Sequence, residues 1–96
     1  MKLIKVVKST NLKKKYDALF KDKDGKEKKI SFGASGYGDY TITKNKEQRE
    51  RYRKRHEKDL KTNDPTRAGY LSRFLLWGDS TSLKKNIQDY KKKFNL

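Results

Sequence analysis

Lysine and arginine carry most of the chemistry this sequence can do. Three clusters concentrate it: Lys13, Lys14 and Lys15; Arg49, Arg51, Arg53, Lys54 and Arg55; and Lys91, Lys92 and Lys93. Ammonium and guanidinium groups in such density bind phosphate, because each neutralised phosphate releases condensed counterions. Several such contacts give strong, salt-sensitive, sequence-independent binding. Charge runs also merely solvate helices, and that reading has weight between residues 46 and 60, where four acids offset seven bases. The first sixteen residues differ, with six lysines and no acid.

Other chemistries are poorly supplied. Gly33-Ala34-Ser35-Gly36-Tyr37-Gly38 would let backbone N–H groups approach a phosphate. No Gly-Lys-Ser/Thr follows, so it is not a P-loop, and a turn re-aiming the chain explains the glycines as well. Tyr37, at the tip of that loop, is placed either to stack on a base or to fill a gap. His56 is the only histidine and there is no cysteine. A zinc site would need mostly carboxylates, so His56 is read as packed or half-exposed beside Tyr52. No Ser/His/Asp set or carboxylate pair stands out, and neither an enzyme nor a cofactor is expected.

The elements that must position these groups follow from pattern. Residues 3–8 read as a strand, with Ile4, Val6 and Val7, and Ser9-Thr10-Asn11 as a turn. A β-hairpin spans 15–32 around Lys23-Asp24-Gly25. Of its two registers, the three-residue loop with a left-handed Gly25 pairs Tyr16 with Phe32 and Ala18 with Ile30 and puts the rings on one face. Tyr40-Thr41-Ile42 is expected as a short strand or an edge. A polar helix over about 46–60 carries Glu47/Arg51 and Glu50/Lys54, with Glu57/Lys61 at its end, as i,i+4 pairs. Asp64 is expected to cap, and Pro65 to open, a helix running to Trp77 and stopping at Gly78. Leu83, Ile87, Tyr90 and Phe94 give the last helix, about 82–94, its core stripe. The fold class is therefore α+β. A sheet of about three antiparallel strands packs on two or three helices (about 46–60, 65–77 and 82–94) in one basic domain, 1–96. The hairpin rings, Leu71, Leu75, Trp77, Leu83, Ile87 and Tyr90 should form the core.

Composition sets the bounds. The 96 residues suffice for one domain, and 31% hydrophobic content allows only a small core, helped by 11% aromatics. A formal net charge of +15 opposes folding by self-repulsion and calls for an anionic partner. The absence of cysteine suits a reducing compartment. No apolar run reaches the length of a signal peptide or a membrane span, so a soluble chain without Sec-type targeting or membrane insertion is expected.

From Tyr16 onward the order of motifs resembles a known group. Phe32-Gly33-Ala34 leads into Gly38-Asp39-Tyr40-Thr41, then Arg51-Tyr52, Arg55-His56, Ala68-Gly69, Leu71-Ser72-Arg73, Leu76-Trp77 and Ile87-Gln88-Asp89-Tyr90 through Leu96. This is similar to a family of small basic uncharacterised proteins encoded by nucleocytoplasmic large double-stranded DNA viruses. One departure is Lys61-Thr62-Asn63, where that family often has an aromatic residue. The resemblance implies a viral protein of the virion, found in host cytoplasm or nucleus during infection. It assigns no functional residues. With the charge, it leads to an expected DNA-binding role in genome compaction or packaging, with RNA left open. The main alternative is a minor capsid-associated protein whose charge meets acidic capsid subunits or the genome beneath the shell, and a third is a regulator or host-interaction factor.

Overall fold

Alternating apolar residues and one turn sequence build the first third of the chain. The computed structural model describes residues 1–96 and places three strands there: β1 (Lys2–Lys8), β2 (Lys14–Lys21) and β3 (Glu27–Ala34). They form one antiparallel sheet in the order β1-β2-β3. The hairpin adopts the register that unites its rings, with Tyr16 opposite Phe32 and Ala18 opposite Ile30. Gly25 has φ +81° and donates its N–H to the Asp22 carbonyl at 3.1 Å. The Asp22 carboxylate accepts from the N–H groups of Asp24 and Lys26, both at 2.9 Å, and so fixes the turn. A one-residue slip would turn Ala18 and Phe20 out to solvent, which is why the register is firm.

Leu3, Ala18, Phe20 and Phe32 are buried on the inner face of the sheet. The outer face carries Lys5, Val7, Leu19 and Lys29 in register and is left uncovered. Asp17 also lies on it, yet is buried, because the hydroxyls of Ser9 and Ser31 donate to its carboxylate at 2.7 and 2.6 Å.

The strand expected at Tyr40-Thr41-Ile42 is instead one helical turn, α1 (Tyr40–Thr43). Asp39 caps it, accepting from the Thr41 N–H at 2.8 Å, and this cap outweighs the β-branched side chains. Helix α2 covers Lys46–Arg55, less than the expected 46–60. After His56 the chain tightens into a 3₁₀ turn, Glu57–Thr62, which ends at left-handed Asn63. That turn brings Leu60 inward, where its carbonyl accepts from the Tyr70 hydroxyl at 2.9 Å.

The third helix does not begin at Pro65. Asp64 accepts from both the N–H (3.0 Å) and the hydroxyl of Thr66, so its capping oxygen closes a turn ahead of the helix. Helix α3 (Ala68–Leu71) then runs straight into a π turn, Ser72–Leu76, closed by Trp77 N–H on the Ser72 carbonyl at 3.1 Å. The wide turn carries Leu75, Leu76 and Trp77 all into the core, although at regular helical spacing Leu76 lies outside the face shared by Ala68, Leu71, Phe74 and Leu75. Gly78 ends the segment for want of space rather than by a left-handed φ. A Cβ there would lie 2.2 Å from the Phe74 carbonyl oxygen.

Helix α4 (Leu83–Lys93) matches expectation, with Ser82 Oγ accepting from Lys85 N–H at 3.3 Å. Tyr90 is buried, whereas Leu83 and Ile87 are half-buried at the margin of the core. Buried Asn86 lies on the same helix. Its amide donates to the carbonyls of Leu75 (3.0 Å) and Ser80 (2.8 Å) and accepts from Ser80 N–H (3.1 Å). Tyr70, Phe74, Tyr90 and Phe94 pack with ring centroids 4.8–5.9 Å apart. No helix is long and apolar enough to cross a membrane.

Candidate nucleic-acid interface

Three of the eleven expected phosphate-binding residues are held by the fold. Lys15 donates to Asp39 at 2.6 Å, with 13% and 2% of the two side chains exposed. Arg53 reaches the Trp77 carbonyl with two nitrogens, at 3.1 and 2.9 Å, and the Asp79 carboxylate at 3.0 Å. Arg49 donates to the Gly78 carbonyl at 3.3 Å and lies 4.6 Å over the Tyr40 ring. Both arginines thus satisfy carbonyls that the end of the π turn leaves open. None of the expected i,i+4 pairs forms. Arg49 and Arg53 face inward with Glu50 between them, so Glu50 pairs with these two, at 3.0 and 3.3 Å, rather than with Lys54.

The other eight are exposed, and none is ion-paired: Lys13, Lys14, Arg51, Lys54, Arg55, Lys91, Lys92 and Lys93. The structure brings Lys14 and Arg55 to a common cleft. Lys13 precedes Lys14 in the turn before β2, and Arg51 and Lys54 share α2 with Arg55. Lys91, Lys92 and Lys93 close α4 and line no part of this cleft. Lys93 lies 5.9 and 5.8 Å from the Phe74 and Phe94 rings.

The cleft holds about 500 Å³ between the loop after β3, α2 and the segment from Ala68 to Trp77. Its wall is a column of rings. Tyr52 stacks on Trp77 at 4.4 Å and 8°, and His56 stacks on Tyr52 at 4.2 Å and 22°. His56 therefore sits half-exposed beside Tyr52, stacked on it as the spacing suggests, and its Nδ1 meets Asp59 at 3.2 Å. Burial pushes the pKa of the Tyr52 hydroxyl up, partly offset by the Ser72 hydroxyl, so the ring stays neutral. The glycine-rich loop forms the facing lip. Gly33, at φ +81°, lets the strand bend past Lys15 and Leu76, since a Cβ would sit 2.8 Å from Leu76 Cδ1. Tyr37 is 73% exposed.

Sequence reasoning missed several groups that shape this region. Arg73 is half-buried, and burial together with nearby Arg53 lowers its pKa. Hydrogen bonding from Arg53 likewise holds the Asp79 carboxylate below its usual range. The ring column brings together Tyr52, His56 and Trp77, and only the Tyr52–His56 spacing signalled it.

Residues 4–56, more than half of the chain, match DUF5754, described as a family of unknown function. No curated protein and no solved structure matches.

Proposed function

The chain belongs to the DUF5754 family, and we propose that it is a non-enzymatic, sequence-independent nucleic-acid-binding protein, acting on DNA in genome compaction or packaging. One observation carries this reading. Of 27 lysines and arginines, only Lys15, Arg49, Arg53, Arg67 and Lys85 have a carboxylate partner, which leaves 22 cations without one. They are spread over all three strands, α2, α4 and the segments between, all exposed except half-buried Arg73, on a body of 42 × 27 × 23 Å. Cations on several sides of a small body suit contact with more than one phosphate backbone, as compaction requires. The resemblance to the viral family supports the packaging context and a place in the virion.

The test is a gel-shift series of the intact chain with duplex DNA, single strands and RNA. Affinity should fall steeply as salt rises from about 50 to about 200 mM, without sequence preference. Arg51, Lys54 and Arg55 together changed to Glu should weaken binding at least ten-fold, whereas Arg53→Glu should fail first in stability. A chain that ignores every nucleic acid at low salt yet binds an acidic capsid protein would replace this reading with the capsid role.

A further inference from the structure

We infer that the cleft beneath the glycine-rich loop receives one unpaired nucleobase, with the phosphates of its strand on Lys14 and Arg55. The inference rests on the nucleic-acid reading above and makes it specific to exposed bases.

Four features support it. The volume, about 500 Å³, falls in the range of small-molecule sites and accommodates a single nucleotide. The wall is already a stack, Trp77 on Tyr52 on His56, and His56, the last ring, leaves 44% of its side chain exposed. A further flat π surface can extend that column. On the other lip, Tyr37 has no aromatic partner and is 73% exposed, so no packing need accounts for a ring there. At the mouth, Lys14 and Arg55 carry charges no carboxylate answers, while Lys15 beside them is tied to Asp39.

The pairing of flat ring surfaces with free cations distinguishes a nucleotide from other anions. An acidic peptide would meet Lys14 and Arg55 but leave the rings uncovered. A duplex keeps its bases inside, and so reaches only the rim. Single-stranded segments therefore gain a contact that duplexes lack, and base stacking of this kind is tolerant of sequence.

Trp77 is the only tryptophan and forms part of the cleft wall, so its emission reports occupancy. The intact chain is titrated with a short oligothymidylate and with an abasic strand of equal length and phosphate count. The oligothymidylate should shift or quench Trp77 emission and bind about ten-fold more tightly. Tyr37→Ala and His56→Ala, each checked for native circular dichroism, should remove that advantage and leave abasic binding unchanged. If His56→Ala does not fold, the exposed Tyr37→Ala and the wild-type comparison of the two strands still decide. Equal binding of both strands with unaltered emission overturns the inference and leaves charge-driven binding intact. Binding of neither strand overturns the nucleic-acid reading itself.

Discussion

The sheet and the helical part of this molecule use positive charge in opposite ways. Through residue 34 every cation is a lysine, and only Lys15 has a carboxylate partner. Backbone ladders and facing apolar side chains hold the strands, so the lysines remain in solvent. Beyond residue 34 the helices are short, and all six arginines lie there. Short helices leave many carbonyls open, and the planar guanidinium of Arg53 answers a carbonyl and a carboxylate together. Formal charge is thus a fair measure of binding surface on the sheet and an overestimate on α2.

The most severe way to break this contrast is at the pair that joins the two parts. Asp39→Ala strands Lys15 as an unpaired, largely buried cation and removes the cap of α1, which should cost about 3–5 kcal/mol in urea denaturation. A loss below about 1 kcal/mol, typical of exposed pairs, would return Lys15 to the free cations. Next in size is the exchange of cation type. Arg53→Lys forfeits the fork on Trp77 and should cost about 1–2 kcal/mol, whereas Lys29→Arg on the open sheet should stay within about 0.5 kcal/mol. Equal costs would erase the distinction.

The smallest effect belongs to pH. The hydroxyls of Ser31 and then Ser9 hold the Asp17 carboxylate below its ordinary range. A depressed folded-state pKa stabilises the fold above the unfolded value of about 3.9, and that contribution fades as pH falls through the folded value. Acid unfolding should therefore steepen below about pH 4, and Asp17→Asn should flatten it. An unchanged acid limb in Asp17→Asn would show that these serines do not act on the carboxylate.

The difference between the two parts also explains what the sequence makes legible. The hairpin is readable to its register, because Tyr16, Ala18, Phe20, Ile30 and Phe32 alternate and Asp24-Gly25 marks the turn. Helix α4 is readable from one apolar stripe and a serine cap. The π turn is not, since a helix widened by one residue carries the same amino acids as a regular one. The roles of Arg49, Arg53 and Asn86 are hidden for a related reason: their partners include main-chain carbonyls, which every residue has. Asp64 and Asp39 show the same limit, because both are strong turn formers and only the surrounding packing decides what each one closes. As for the cleft, its cations and Tyr37 stand out in the sequence, while the Trp77–Tyr52 stack joins residues 25 positions apart.

Strand β1 pairs only with β2, so its far side is an open edge with unpaired backbone donors and acceptors. Such edges invite strand addition by a second copy and, from there, aggregation. Here Lys2, Lys5 and Lys8 stud that strand, and its ladder is interrupted between Leu3 and Lys5. An incoming copy would meet like charge and a broken template, so the edge resists self-association without another element to cover it.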